Sequence, residues 1–293
     1  MNTRMIGDVA VSRVEEMCGP GFRPDALLPA FHRDALAEQA DWLMPNHYHE
    51  GLDRLVASVH SWVIKTEHHT ILVDTCIGNH KERPAMERWH HLDLPFLERL
   101  AEAGIQPEEV DYVMCTHLHV DHVGWNTRLE NGRWVPTFPN AKYIFARNEF
   151  EHWNQTTDEE AARIGDANML AFNDSVLPVV EAGLAEMVDG DHQLGDRLLI
   201  EPAPGHTPGS CTLKLTSNGT EALFIGDIMH HALQVYYPHW NSCFCVDPEM
   251  SHATRRRILE ESADRDRLLM PAHFGAPHAG RVVGKGDGFA LAF

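Results

Sequence analysis

Alternating apolar and polar residues in the first quarter of the chain indicate a strand. The alternation runs over Val56–Lys65, and a second apolar segment, Thr70–Cys76, follows a polar turn at Glu67–His69. A further strand is predicted at Val9–Val14. The pattern therefore predicts paired strands, with Asp74 placed where the second of them ends.

Helical spacing is clearest over Leu94–Gly104, where residues 94, 97, 100 and 101 are apolar and glycine 104 provides a C-terminal stop. A helix beginning after Asp247, which serves as an N-cap, is expected to present Arg255–Arg257 on a solvated face. The other predicted helical segments are Ala30–Trp42, which ends before Pro45, and Asn148 to about Gly183.

The remaining apolar runs are short and β-rich, and Asn-Gly pairs at 131–132 and 218–219 predict turns between them. Strand-rich halves punctuated by helices favour stacked sheets with helices outside. Without a linker or repeat, we expect a single domain over 1–293, with 1–55 as an amino-terminal arm or lid. The predicted strands are Val110–Thr116, Arg128–Val135 as a hairpin, Ala141–Ala146, Arg197–Ala203, Cys211–Thr216, Glu221–Ile225 and Arg267–Ala272.

Charge and composition narrow the function classes. The 293 residues contain 24 Lys plus Arg against 43 Asp plus Glu, a formal net charge of −19, which argues against nucleic acid as a partner. No apolar run approaches the roughly 20 residues that span a bilayer, and Met1–Met17 lacks the apolar core of a signal peptide. We therefore expect a cytoplasmic protein without a membrane partner.

Histidine is unusually abundant, with 21 residues, and histidine is the commonest metal ligand near neutral pH. The six cysteines are scattered without a CxxC pair, so reduced thiols are expected. Adjacent histidine pairs could also be solvated, so spacing has to decide which histidines bind metal.

One segment has metal-ligand spacing: His117, His119, Asp121 and His122 lie within six residues, directly after a predicted strand. In extended backbone, residues two apart face the same way, so His117 and His119 can converge on one ion. The following turn directs Asp121 and His122 elsewhere, which indicates two sites. Imidazoles with a carboxylate suit zinc, iron, manganese or cobalt better than calcium or magnesium. The alternative is a solvated polar turn.

Three more predicted strands end on ligand-type residues, at His206, Asp227 and His273. Strand ends that meet at one sheet edge bring distant segments into one pocket. Together with the first segment they supply five histidines and two aspartates.

These residues and their order resemble those of metallo-β-lactamase-fold hydrolases, from the Asp74-Thr75-Cys76 strand end to His273. The resemblance implies an α+β fold, a four-layer αββα sandwich with the metals at one edge. It further implies that Asp74 orients a ligand from outside the metal's coordination sphere. The implied ligands are His117, His119 and His206 for one divalent ion, Asp121, His122 and His273 for a second, and Asp227 as a bridge between them.

Departures from the known branches narrow the substrate class. A cysteine would stand at Asp227 in the common zinc β-lactamases, which argues against antibiotic hydrolysis. The run from Gly226 to Val235 is similar to the branch that contains methyl parathion hydrolase and, more distantly, the acyl-homoserine lactonases. Those lactonases carry a tyrosine three residues after the bridging aspartate, where this chain has His230.

The expected reaction is attack of a metal-bridging hydroxide on an ester or lactone carbonyl of a small, partly apolar substrate. Asp121 or His230 is predicted to handle the leaving-group proton, and His230 could equally be a hydrogen-bonded wall residue. The alternatives are a phosphotriester hydrolase and a mononuclear iron oxidative enzyme. Zinc is expected first, with iron, manganese or cobalt as alternatives, and the resembling hydrolases imply a homodimer. Predicted substrate-pocket residues, each of which could instead pack in the core, are Trp125, Tyr236, Trp240 and Phe274.

Overall fold

The computed structural model describes residues 3–154 and 166–293. The chain divides into two compact units, each built from two separate stretches of sequence. The first unit comprises Met1–Glu16 and Val59–Gly190, and the second comprises Met17–Ser58 and Asp191–Phe293.

The sheet of the first unit contains a block of parallel strands. Four strands pair in parallel, β5 with β6, β6 with β9 and β9 with β10, so they end at the same edge. They are β5 (Thr70–Val73), β6 (Tyr112–Met114), β9 (Lys142–Ala146) and β10 (Ala185–Val188). The residues of β5, β6 and β9 form short apolar runs that are mostly buried, as expected for parallel strands. The order is β1-β2-β4-β5-β6-β9-β10, in which the strands are β1 (Arg4–Ile6), β2 (Val9–Pro20), β3 (Tyr48–His49), β4 (Arg54–Lys65), β5 (Thr70–Val73), β6 (Tyr112–Met114), β7 (Thr127–Glu130), β8 (Arg133–Pro136), β9 (Lys142–Ala146) and β10 (Ala185–Val188).

Two pairs lie outside the order just given. Strand β3 pairs with the start of β4, within the second unit. Strands β7 and β8 form the predicted hairpin around Asn131–Gly132. Both residues of that turn have positive φ, which explains why Asn and Gly stand there.

The second unit contains a sheet whose strands follow the chain order. Neighbouring strands of this sheet are antiparallel, except β14 (Thr220–Gly226) and β15 (Leu268–Pro271), which are parallel. Strands β12, β14 and β15 therefore run in the same direction and end at the same edge. The strands are β11 (His192–Leu194), β12 (Leu198–Pro202), β13 (Cys211–Ser217), β14 (Thr220–Gly226), β15 (Leu268–Pro271), β16 (Gly280–Lys285) and β17 (Gly288–Ala292).

Most of the described helices are short; the longest is α10 (Pro248–Asp264), with 17 residues, and it starts as predicted. Asp247 accepts a hydrogen bond from the Met250 amide, and Pro248 occupies the first helical turn. The helices are α1 (Pro24–Leu27), α2 (Asp34–Glu38), α3 (Ala40–Leu43), α4 (Phe96–Glu102), α5 (Val120–Val123), α6 (Arg147–Trp153), α7 (Ala167–Ala171), α8 (Leu177–Glu181), α9 (Leu233–Tyr236) and α10 (Pro248–Asp264).

One helix prediction needs correction, and a second lies partly outside the described residues. The segment predicted as one helix over Ala30–Trp42 forms α2 and α3, separated at Gln39, whose φ and ψ of −112° and 11° are not helical. Its apolar residues, including Ala35 and Leu43, pack in the core of the second unit, and this packing decides the local shape. The helical segment predicted from Asn148 partly falls on residues 155–165, which lie outside the described residues.

The predicted solvated face of α10 is wrong for one of its three arginines. Arg256 and Arg257 are exposed and form ion pairs with Glu260 and Glu261 one turn on. Arg255 is fully buried and donates to the carbonyl oxygens of residues 228, 238 and 240. A buried guanidinium is tolerated because its donors are satisfied by backbone oxygens.

Candidate metal centre

Asp74, directly after β5, organises the loop that follows β6 in the first unit. Its Oδ1 accepts the Thr116 amide at 2.7 Å, and its Oδ2 accepts the Thr116 hydroxyl at 2.9 Å. The same Oδ2 lies 2.8 Å from Nδ1 of His122. We assign the proton to that nitrogen because it faces a carboxylate, which leaves the Nε2 lone pair of His122 available for a metal ion.

His117 is oriented through the same hydroxyl. Its Nδ1 lies 3.1 Å from Oγ1 of Thr116, and this hydroxyl already donates to Asp74. The oxygen therefore accepts from Nδ1 of His117, and Nε2 of this histidine is again left for a metal ion. The His117 ring centroid lies 4.6 Å from that of His119 and 4.1 Å from that of His122. The three imidazoles are buried and close together, whereas the spacing predicted convergence of His117 and His119 alone.

The end of this loop packs backbone against backbone with the segment after Asp74. The Thr75 amide donates to the His122 carbonyl at 2.7 Å, and the Trp125 amide donates to the Thr75 carbonyl at 2.8 Å. A Cβ atom at Gly124 would lie 1.8 Å from the Ile77 carbonyl oxygen. Only glycine permits this approach, so Gly124 is required by contact and not by its φ.

A buried carboxylate, Glu16, receives three hydrogen bonds beside this loop. Ile77 and Gly78 donate their amides at 2.9 Å, and the Trp125 indole donates at 2.7 Å. Burial raises the pKa of Glu16 to about 7 despite these donors. The Trp125 ring also stacks on Phe96, with centroids 5.3 Å apart. Trp125, a predicted pocket residue, is thus held from two sides.

In the second unit, the Asp227 carboxylate meets three imidazoles. Its Oδ1 lies 2.9 Å from Nε2 of His273, and its Oδ2 lies 3.3 Å from Nε2 of His206. Oδ2 also lies 3.2 Å from Nε2 of His230. Strands β12, β14 and β15 end here, so the sheet brings together three segments that are far apart in sequence. Nitrogen and carboxylate donors converging in a buried place suit a divalent cation such as zinc.

Backbone atoms hold two of these histidines. Nδ1 of His273 lies 2.9 Å from the Ser58 carbonyl oxygen and donates to it, which leaves Nε2 facing Asp227. His206 follows Gly205, which has φ of +132°. A Cβ at Gly205 would lie 2.3 Å from the Ser251 amide nitrogen, so a glycine before this histidine is required.

His230 approaches the same carboxylate as closely as His206 does. Its Nε2 is 3.3 Å from the Ser242 hydroxyl as well as near Asp227, and its amide donates to Oε1 of Gln234. The ring stacks on Phe244, with centroids 6.0 Å apart. His230 is therefore close enough to Asp227 to transfer a proton to a group bound beside this carboxylate. Its catalytic role stays a prediction.

The other predicted pocket residues lie in different surroundings. Trp240 and Phe274 are fully buried and belong to the apolar cores of the second unit, which favours the packing role that the sequence also allowed. Tyr236 is half-buried, stacks on Trp42 with ring centroids 4.8 Å apart, and accepts the Leu291 amide. A substrate contact stays a prediction for all three.

A surface cluster in the first unit also combines histidines with a carboxylate but is a poor metal site. Nε2 of His91 lies 3.1 Å from Oε1 of Glu82, and Nε2 of His90 lies 3.9 Å from Oε2. Nδ1 of His90 accepts the Arg83 amide at 2.9 Å. Neutral His90 therefore carries its proton on Nε2, so the nitrogen facing Glu82 has no lone pair for a metal.

Sequence reasoning missed three polar groups that hold these loops. Glu149 accepts the Leu118 amide, Asn168 accepts the Val120 amide, and Ser58 offers its carbonyl oxygen to His273. Only Glu149 had a usable signal, because it follows β9, the parallel neighbour of β6. The other two depend on contacts that no local pattern encodes.

A sequence profile of the metallo-beta-lactamase superfamily matches residues 55–273, which is most of the chain. The chain belongs to the metallo-beta-lactamase superfamily. Family membership, predicted from the ordered ligand residues, is therefore confirmed. The ligand-type residues of both units are of the kind with which proteins bind divalent metal ions.

Two of the proteins similar to this superfamily member in sequence are named N-acyl homoserine lactonases. It is 30% identical over 119 residues to the uncharacterized protein YobT of Bacillus subtilis (strain 168), covering 40% of this chain and 46% of that protein. It is 25% identical over 164 residues to an N-acyl homoserine lactonase of Bacillus sp., covering 52% and 56%. The chain thus spans about half the length of the relatives it matches in sequence.

A solved structure shares the fold over nearly the whole length. AidC, a dizinc quorum-quenching lactonase in complex with a product, superposes with a TM-score of 0.78 at 19% identity, covering 99% of this chain and 96% of that one. The α+β sandwich fold of the superfamily, predicted from the sequence, is confirmed. The predicted enzyme class agrees with these relatives. None of the helices described in residues 3–154 and 166–293 has the length and hydrophobicity needed to cross a bilayer.

Proposed function

We propose that this superfamily member is a binuclear metal-dependent hydrolase that cleaves an ester or lactone bond of a small, partly apolar substrate. Two divalent ions, zinc in the first instance, complete the site. In this assignment one ion is bound by His117, His119 and His206, the other by Asp121, His122 and His273, and both by Asp227.

The arrangement around Asp227 is the observation that carries the proposal. Its Oδ1 faces His273 and its Oδ2 faces His206, and the proposal assigns these histidines to different ions. A carboxylate that offers one oxygen toward each set of ligands has the geometry of a bridge. The orientation of His117 and His122 within the first unit supports the same assignment, because both leave Nε2 for a metal.

Bound divalent ions supply a water of lowered pKa as nucleophile and neutralise charge that develops on the carbonyl oxygen. The chain's own residues then have separate tasks. Asp121 is half-buried, unlike its histidine neighbours, and is the more accessible acceptor for a proton. His230 stands 3.2 Å from Asp227 with the Ser242 hydroxyl beside it, which suits it to pass a proton to a leaving group.

The lactone is the first substrate class to test. Two relatives in sequence are named N-acyl homoserine lactonases, and AidC is described as a quorum-quenching lactonase. Aryl esters present the same electrophile, and a phosphotriester replaces the carbonyl by a phosphoryl group. These three classes therefore form the substrate panel.

The test combines metal content with activity. Protein purified without chelator is expected to hold two equivalents of divalent metal and to hydrolyse at least one panel substrate. Asp227→Ala should remove the activity, because the variant loses the bridging carboxylate. Asp196→Ala, a change at an exposed turn of the same unit, should keep both metal and activity.

One equivalent of iron with no hydrolysis would overturn the proposal and favour an oxidative enzyme on the same fold. Full activity in Asp227→Ala would equally contradict the assigned bridge. Hydrolysis of only the phosphotriester would keep the binuclear hydrolase and change its substrate class.

A further inference from the structure

Helix α6 starts where β9 ends, and β9 lies parallel to β6. Because both strands end at the same sheet edge, the first turn of α6 lies beside the loop that carries His117 and His119. The helix presents two buried side chains there, Glu149 and Trp153, spaced one helical turn apart.

Glu149 accepts hydrogen bonds from two different places. The Leu118 amide donates to its Oε1 at 3.2 Å, and the Trp153 indole donates to the same oxygen at 2.8 Å. Glu149 is only 1% exposed. Burying a carboxylate is unfavourable unless hydrogen bonds offset its loss of hydration. At Glu149 the Leu118 amide and the Trp153 indole provide such hydrogen bonds.

The two contacts act on one dipeptide. Leu118 lies between the two histidines, so its amide direction sets the backbone from which both rings project. The Trp153 ring meets the His119 ring edge to face, with centroids 5.4 Å apart and planes at 69°. Glu149 and Trp153 thus hold the Leu118 backbone and the His119 ring. The hydrogen bond from the Trp153 indole to Glu149 links these two residues to each other.

We propose that Glu149 and Trp153 are positioning residues that aim His117 and His119 at their metal ion. The inference rests on the proposed function, in which these two histidines bind one ion. Glu149 acts through the Leu118 amide and Trp153 through the His119 ring. We expect the hydrogen bonds rather than the charge of Glu149 to carry the effect, because an uncharged amide oxygen can accept from the same two donors.

A pair of variants separates hydrogen bonding from charge. Glu149→Gln keeps an oxygen that can accept both donors but removes the charge, whereas Glu149→Ala removes both. We expect Glu149→Ala to weaken binding of one of the two ions by about 10–100-fold and to leave the other within about threefold. Glu149→Gln should bind both ions within about threefold of the unchanged protein. Competition of zinc with a chromophoric chelator measures both constants.

Two controls exclude a purely structural effect. Leu100→Ala truncates a buried residue of α4 in the same unit and should lower stability without changing zinc affinity. Trp153→Phe keeps a ring near His119 without the indole donor and should weaken one ion by less than Glu149→Ala does. In metal-free protein, hydrogen exchange of the Leu118 amide should accelerate in Glu149→Ala and not in Glu149→Gln.

The outcomes separate this inference from the proposed function. If the unchanged protein binds no metal, the proposed function fails and the inference fails with it. If it binds two ions and Glu149→Ala binds them equally well, only the inference fails. Equal weakening in Gln and Ala would also overturn it, because charge would then be the cause. If Glu149→Ala does not fold, Glu149→Asp withdraws the oxygen by one methylene and should give the same selective loss.

Discussion

The two units hold their ligand-type residues in different ways. In the first unit, four of them stand in a run of six residues, and outside groups aim their rings: the Asp74 carboxylate and the Thr116 hydroxyl. In the second unit, His206 and His273, which follow separate strands, meet directly at the carboxylate of Asp227, which follows a third. The first arrangement depends on a local turn and its acceptors, and the second depends on the order and direction of strands.

Buried titratable groups also differ between the units. The first unit buries Glu16, whose pKa is raised to about 7 by desolvation. The second unit buries His47 and His231, and desolvation lowers their pKa values to about 3 and about 4. His231 also donates to the His47 carbonyl at 2.8 Å, which a neutral ring can do. Falling pH should therefore oppose folding at His47 and His231, and rising pH should oppose it at Glu16.

The largest expected effect comes from the glycines at which backbone meets backbone in each unit. Gly124→Ala would place a Cβ 1.8 Å from the Ile77 carbonyl oxygen, and Gly205→Ala would place one 2.3 Å from the Ser251 amide nitrogen. Each should lower the free energy of unfolding by more than about 3 kcal/mol. Denaturant unfolding of metal-free protein measures this.

The control for both is Gly284→Ala in β16, where a Cβ has open space. It should change stability by less than about 1 kcal/mol. An unchanged midpoint in Gly124→Ala would show that the loop of the first unit can move aside, contrary to the close contact described above.

An intermediate effect is expected from Asp74, the acceptor on which the first arrangement depends. Asp74→Asn cannot accept from the Thr116 amide, the Thr116 hydroxyl and His122 together, because one carboxylate oxygen becomes a donor. We expect zinc affinity to fall by about 10–100-fold, measured by chelator competition.

The same substitution at the other end of β6 serves as its control. Asp111 accepts the exposed Thr70 amide just before that strand. Asp111→Asn should leave zinc affinity unchanged. Equal affinity in the two variants would remove Asp74 from the set of groups that orient His122.

The smallest effect is a pair of opposite pH dependences. Unfolded histidine takes a proton below pH 6.5 and folded His47 does not, so His47 lowers stability as pH falls through that value. Unfolded glutamate loses its proton above pH 4.5 and folded Glu16 keeps it to about 7, so Glu16 lowers stability as pH rises through that window. His47→Gln and Glu16→Gln should each remove up to about 1.4 kcal/mol per pH unit of slope.

The pH series is read as the difference between variant and unchanged protein, measured without metal. Gly284→Ala, which changes no titratable group, serves as the control and should give a flat difference curve. Difference curves of the same sign for His47→Gln and Glu16→Gln would contradict the opposite pKa shifts of these two groups.

The sequence predicted the second unit's strand ends as well as the first unit's local run, because both signals are a β-rich segment followed by a metal-competent residue. It could not predict which polar groups hold those residues. Glu149, Glu16 and the Ser58 carbonyl reach the loops only because particular strands are neighbours. The sequence prediction also placed Arg255 in solvent. Three consecutive arginines give no local sign of which one lies on the buried face of the helix.

The amino-acid sequence by itself determined the family, the identity of the ligand-type residues and the positions of most strands. Those features are local, since spacing and hydrophobic pattern act over a few residues. Only the tertiary structure decided which acceptor faces Nδ1 of His117, His122 and His273, which aromatic residues are core, and which carboxylates are buried. Each of these depends on a hydrogen-bond partner or a packing neighbour distant in sequence, and the direction of neighbouring strands selects that partner.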